Sequence, residues 1–251
     1  TLFRSRTMSL WESGESTGTA SLISFFANVA SNAATMDKTL SEVAYLVCRG
    51  GWPRAVMQKP SVALDRAYDY LNAIVTNDIS RVDGVSRDTE RARRLMRSYA
   101  RFQGAQAPLS KIREDVIAGS DSSFDEKTLS SYLNALKKMF VIEDMPSWNP
   151  NLRSKAAIRS SETRYFTDPS IAVAALGIGP KDLMNDLETY GLLFEAMCVR
   201  DLRIYAQAIN GLVYHYRDSD GLECDAVIHL RNGDYGLVEI KLGGDRLIEA
   251  G

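Results

Sequence analysis

Two tight-turn sequences near the C-terminus, Asp218-Ser219-Asp220-Gly221 and Arg231-Asn232-Gly233-Asp234, separate three short β-forming runs: Leu212–Arg217, Leu222–Leu230 and Tyr235–Leu242. Connections this short join antiparallel neighbours, so the segment reads as a three-stranded meander. A three-residue loop over Arg231–Gly233, with Gly233 left-handed, sets the pairing: Leu230 opposes Asp234, and Asp225 opposes Glu239. In that register Cys224, Ala226, Ile228 and Leu230 share an apolar face with Val238, Ile240 and Leu242. The other face carries Val227 and Leu237, then gathers Glu223, Asp225, Glu239 and Lys241 at one end.

Helical spacing dominates the residues before the meander. The longest helix of the second half is expected over Asp182–Tyr205, with the stripe Leu187, Gly191, Leu192, Val199 and Leu202. Glu195 falls inside that stripe, where a carboxylate is costly without a partner. Earlier helices are expected over Ser21–Ala30, over Leu40–Arg49 with a stop at Gly50-Gly51, and onward from Pro60 with the stripe Leu64, Ala67, Tyr68, Leu71, Ile74 and Val75.

Three more helices follow at Glu90–Phe102, Leu109–Ala118 and Asp125–Met139, the last opened by a Ser123/Glu126 capping box. Two β-like runs, Phe140–Asp144 and Arg164–Thr167, come next, with Trp148 in the loop between them. Three helices and a two-stranded wing are the winged helix-turn-helix layout, in which the third helix can enter a major groove. Arg87–Arg113 holds eight basic residues against Asp88 and Glu90, so the helices carry a local positive excess. Arg94, Arg97 and Arg101, with Lys127, Ser131, Asn134 and Lys138 on the third helix, are the candidate nucleic-acid contacts. A solvated helix face or a protein-binding spacer accounts for the same pattern.

At 251 residues, 45% hydrophobic and 25% charged, the chain suits two compact soluble units and an α+β class. No apolar run approaches the roughly 20 residues that a bilayer needs, and no secretory signal is visible. Cys48, Cys198 and Cys224 are odd in number and far apart, so neither a disulfide framework nor a zinc site is expected, and a reducing cytoplasm fits. His215 and His229 fall in expected strands and read as structural. The net charge of −2 gives no global attraction to nucleic acid.

Asp225 opposite Glu239 is a like-charge pair, destabilising without a counter-ion. Oxygen ligands favour Mg²⁺, which takes one or two carboxylates and keeps several waters, and Lys241 points to the same side as Glu239. Chance matches on a polar strand face give the same short pattern. With Glu195 on the preceding helix, Asp225 and Glu239-Ile240-Lys241 resemble the PD-(D/E)XK nuclease-like core. That resemblance implies Asp225, Glu239 and the Ile240 carbonyl on the metal, Lys241 assisting the attacking water, Glu195 orienting the site, and phosphodiester hydrolysis as the reaction.

A wider resemblance covers nearly all of residues 6–251. SLWESG at Ser9–Gly14, GGWPRAV at Gly50–Val56, YLNAIVTNDIS at Tyr70–Ser80, RYFTDPSIAVAAL at Arg164–Leu176, GLLFEAMCVRDL at Gly191–Leu202, and ECDAVI followed by GLVEIKLGG look like the prokaryotic AAA-type ATPases that end in a domain of unknown function. The resemblance implies an N-terminal ATPase domain, then a winged helix, then an incomplete nuclease-like domain whose fold continues beyond this chain. No G-x-x-x-x-G-K-[ST] loop occurs here, so ATP belongs only to the missing domain.

The chain is therefore expected to be a C-terminal fragment, and TLFRS at Thr1–Ser5 can be read as a translated sequencing adapter rather than gene. The division expected is 1–18 as ATPase remnant and linker, 19–85 as a helical connection, 86–168 as the winged-helix-like unit and 169–251 as the nuclease-like unit. The function expected is a nucleic-acid or partner-binding module of an ATP-binding protein, with its own ATPase domain as a neighbour. The alternative is a Mg²⁺-dependent nuclease coupled to that ATPase.

Overall fold

The computed structural model describes residues 5–27, 37–117, 124–150, 161–218 and 220–243. Its elements are α1 (Leu22–Phe26), α2 (Leu40–Arg49), α3 (Pro53–Val56), α4 (Pro60–Ala63), α5 (Asp65–Ala73), a π-helical turn (Ile74–Asp78), α6 (Ile79–Arg81), α7 (Thr89–Arg101), α8 (Leu109–Ile117) and α9 (Glu126–Lys138). Then come α10 (Pro169–Leu176), α11 (Pro180–Asn185), α12 (Leu187–Ala208), β1 (Gly211–Arg217), β2 (Glu223–Leu230) and β3 (Tyr235–Val238). Helices plus one small antiparallel sheet make the class α+β, as composition and pattern indicate.

Local chemistry sets several boundaries. Thr39 and Glu42 form a reciprocal capping box that opens α2, and Gly50, at φ 68°, closes it. Gly51 is required by proximity: a Cβ there would stand 2.0 Å from the Met8 carbonyl oxygen. The N-terminal strand-like segment, residues 5–9, thus lies directly against the end of α2, and Met8 N–H donates to Gly51 O at 2.7 Å. The helix expected from Pro60 is one interrupted rod, α4 to α6, with the π turn in its middle. Along it Ala67, Leu71, Ile74 and Val75 are buried, whereas Tyr68 is exposed and donates to Ile178 O.

Three sequence expectations need correction. The cap of α9 is Asp125, whose side chain accepts from Thr128 N–H; Ser123 lies outside the described residues. The long helix begins at Leu187 rather than Asp182, because Asp186 breaks the chain with φ −130° and caps the new helix through Thr189 N–H. Its buried stripe is Tyr190, Leu193, Met197 and Arg200, so Leu187 is exposed and Glu195 sits beside the stripe, half-buried. The expected wing strands appear only as isolated antiparallel bridges, Ile142 to Phe166 and Met145 to Thr163.

Helices α2, α5, α7, α9, α10 and α12 share one apolar core that includes Val47, Leu71, Tyr99, Leu136, Ile171 and Met197. The residues expected to be a connection, and α10 at the start of the expected nuclease-like unit, both belong to this core. A second core lies between α12 and the sheet, where Ala196, Val199 and Ala206 meet Val213, Ala226, Ile228 and Leu230. The sheet order is β1-β2-β3. Residues 146–148 run beside β1, with Trp148 N–H donating to His215 O at 2.7 Å. Leu212, Tyr235 and Leu237 are exposed on the sheet face turned away from α12.

Candidate functional site

The β2–β3 register agrees with the expectation from the turn. Ala226 pairs with Val238 and Val227 with Leu237; Gly233 has φ 98°, and Leu230 N–H donates to Asp234 O. The ladder ends there, β3 stopping at Val238 rather than at the expected Leu242, and β2 shifts register against β1 beside Asp225, so Asp225 and Glu239 lie just past the paired residues. Asp225 Oδ2 accepts the Ile240 N–H at 2.7 Å, which clamps the two strand ends together. The contact that Ile240 makes to the acid is therefore through its amide N–H, not the carbonyl assigned to a metal from sequence. Lys241 Nζ lies 2.6 Å from Glu239 Oε1, both side chains being more than half exposed.

Glu195 reaches this end of the sheet from α12. Its carboxyl is pushed up to about 7, first by burial, with the charges of Asp225, Glu223 and Glu239 adding to the rise and a hydrogen bond from the Tyr165 hydroxyl opposing it. Asp225 is also raised, again mainly by burial and then by Glu239, while the Ile240 amide works the other way. Asp225, Glu239 and Lys241 thus lie at one end of the sheet, with Glu195 near enough for the charges of Asp225 and Glu239 to act on it. Among the described residues, however, no group of three or more His, Cys, Asp or Glu is arranged to hold a metal ion.

The shift of Glu195 has a thermodynamic sign. Below about pH 4.5 both folded and unfolded chains hold the proton; between there and about 7 only the folded chain does, so stability falls as pH rises through that window. Glu195→Gln is therefore expected to unfold at a higher urea concentration than the parent at pH 8. The gap, about 3 kcal/mol at most, should close by pH 4. A variant less stable than the parent at pH 8 contradicts the burial of this group.

On α7 the side chains of Arg93, Arg94, Arg97 and Arg101 point to solvent. Arg101 is engaged by Asp115 at 2.8 Å, and Arg93 by Asn72 at 3.2 Å. Arg87 turns inward to Asp83 and to Ser131 Oγ at 3.0 Å, so Ser131 is committed to holding the start of α7 against α9 and is not free for a ligand. Lys127, Asn134 and Lys138 remain exposed on α9. The basic excess read from sequence is thus smaller at the surface. The loop leaving α7 passes Gly104, where an added Cβ would lie 3.5 Å from Glu195 Oε1 and from Leu192 Cδ2.

Sequence reasoning missed a buried ionic cluster. The Arg200 guanidinium meets Asp168 Oδ2 at 3.1 Å and Asp201 Oδ1 at 2.7 Å, with all three side chains under a tenth exposed. Asp168 also accepts from Gly51 N–H at 2.9 Å and from Ser170, and Asp201 accepts from Leu10 N–H at 2.8 Å. Arg6 adds a two-pronged pair with Glu143 at 2.6 and 2.9 Å. The Asp168–Arg200–Asp201 cluster and its amide partners come from the SLWESG, GGWPRAV, RYFTDPS and CVRDL stretches, so those motifs help hold the molecule together. The adjacent Arg-Asp pair inside an otherwise apolar helix was the available signal.

Among the described residues no helix is long and apolar enough to cross a membrane. No curated protein and no solved structure matches the chain. Residues 190–247, the end of the protein that carries Glu195, Asp225, Glu239 and Lys241, match the family described as Domain of unknown function (DUF4143). Residues 40–182, more than half of the chain, match a second family and contain the helical core with its Asp168 anchor. The chain belongs to that family, described as Domain of unknown function (DUF8612).

Proposed function

We propose that this chain is the nucleic-acid-handling part of an AAA-type ATP-binding protein, in which a winged-helix-like unit holds the strand and a nuclease-like sheet end hydrolyses phosphodiesters. The observation that carries this reading is the gathering of charge at the β2–β3 end of the sheet, where Asp225 accepts the Ile240 N–H, Lys241 pairs with Glu239, and Glu195 is near enough for the charges of Asp225 and Glu239 to raise it. Arg94 and Arg97 are positioned to neutralise phosphates, while Lys127, Asn134 and Lys138 extend the polar face on α9. Asp225 and Glu239 are the pair that would hold Mg²⁺. The cation would polarise the phosphoryl oxygen and lower the pKa of a bound water. Lys241 presents its ammonium beside Glu239, and Glu195, its carboxyl pushed up to about 7, shares in the proton balance of the site near neutral pH. In the hydrolysis, water adds at phosphorus and the bond from phosphorus to one sugar oxygen breaks.

A second reading, a binding module without turnover, is favoured by the Lys241–Glu239 pair, which already neutralises one acid without a metal. Incubating the protein with end-labelled DNA and RNA in Mg²⁺ or Mn²⁺ separates the two. Cleavage that needs the cation supports the first reading, and its absence together with retained binding selects the second. In either case the Arg94→Ala, Arg97→Ala double variant should flatten the slope of log affinity against log salt by about 1.8 on duplex DNA. An unchanged slope removes α7 from the interface.

A further inference from the structure

Tyr165 follows directly on Arg164, in the short stretch that pairs with residues 143–145, and its ring is fully buried in the core between α12 and the sheet. Its hydroxyl donates to Glu195 Oε1. The ring itself is immobilised. Its own carbonyl accepts the Glu143 N–H at 2.9 Å, and the Arg203 guanidinium carbon stands 5.3 Å from the ring centroid. Arg203 in turn lies 3.8 Å from Glu143, which the N-terminal Arg6 grips with two hydrogen bonds.

A glutamate on a helix has three rotatable bonds, and at this end of the sheet it faces Asp225, Glu223 and Glu239. Free rotation about those bonds would let the carboxyl sample several positions unless something held it. Tyr165 is the hydrogen-bond donor in place to do so. We propose that Tyr165 is a positioning residue, whose hydroxyl holds the Glu195 carboxyl at the Asp225–Glu239 end of the sheet and so shapes the site without touching the substrate. The proposal rests on the assignment of Glu195 to that site.

Tyr165→Phe keeps the ring and removes only the hydroxyl. In the wild-type background of a cleaving enzyme, kcat should fall about tenfold or more with KM nearly unchanged, the usual scale for loss of a group that orients a site residue. A second readout does not need turnover: the titration of the Glu195 side-chain carboxyl followed by ¹³C NMR. Its midpoint should rise in Tyr165→Phe, because the hydroxyl favours the ionised form. Site-specific 3-fluorotyrosine at position 165 retains the shape, makes the hydroxyl a stronger donor, and should move the midpoint down; it also serves if Tyr165→Phe does not fold.

An unmoved midpoint in the folded variant, or in the fluorinated protein, overturns the proposal whatever the enzyme does. If the wild type cleaves nothing while the midpoint moves as stated, the nuclease reading fails and the hold of Tyr165 on Glu195 stands.

Discussion

Replacing Arg200 by methionine should lower the unfolding free energy by about 3–5 kcal/mol, because it leaves two buried carboxylates facing each other without their shared cation. Asp168 is fully buried and Asp201 is 6% exposed, so water cannot take over the role of the guanidinium. Burial pushes Asp168 upward, but the Arg200 charge and the hydrogen bonds from Ser170 and Gly51 outweigh it and hold the group below the usual carboxylate range. Asp201 stays raised, since there burial outweighs Arg200 and the Leu10 amide.

The linkage signs follow from these directions. The contribution of Asp168 is present above its unfolded pKa and is lost as pH falls through the lower folded value, whereas Asp201 destabilises as pH rises past its unfolded value. Urea unfolding at pH 7 should show the loss as a drop in midpoint, with Tm lower by roughly 10 °C for a chain of this size. The exposed pair Arg66–Asp69 supplies the control, and Arg66→Ala should cost under about 1 kcal/mol. Equal effects at the two sites would show that the buried cluster contributes nothing special to the fold.

The second large effect concerns Asp225. In a cation-dependent cleavage assay, Asp225→Asn should reduce kcat by about 100-fold or more, since it removes one of the two charges offered to the metal while keeping an oxygen for the Ile240 amide. Asp225→Ala should cost the same activity and, in addition, about 1–2 kcal/mol of stability from the amide left without its acceptor. Nucleic-acid binding measured at fixed salt should survive both changes, because the phosphate contacts proposed above lie on α7 and α9. If cleavage persists in Asp225→Asn at the parent rate, the reactive group is elsewhere and the sheet end is structural.

The sheet was readable in advance because its geometry is local. A three-residue loop containing a left-handed glycine at Gly233 fixes the β2–β3 register, but the end of β3 at Val238 instead of Leu242 and the register shift between β1 and β2 beside Tyr214 and Tyr216 lay beyond a two-residue period. Helices α2 and α7 were equally legible, each being defined by a cap and a regular apolar spacing. The start of α12 was not, since Asp186 breaks a pattern that periodicity alone would continue back to Asp182. Ser131 was misread for a different reason. Its partner Arg87 lies forty-four residues away, and no spacing rule connects them.

The same limit hid the ionic cluster. Asp168, Arg200 and Asp201 look like ordinary surface charges in sequence, and only the fold shows that Gly51 and Leu10 converge on them. For Glu195 the sequence flagged an acid near an apolar face, but neither Tyr165 nor the Gly104 loop could be named as its neighbours from spacing alone.

The two matched stretches, 40–182 and 190–247, share a buried ion pair, since Arg200 belongs to the second and Asp168 to the first. A chimera that exchanged the second stretch for a distant cousin lacking arginine at this position would inherit an orphaned anion in its interior. The junction between the two stretches is therefore a poor place to recombine genes, and the pieces should travel through evolution as a matched set.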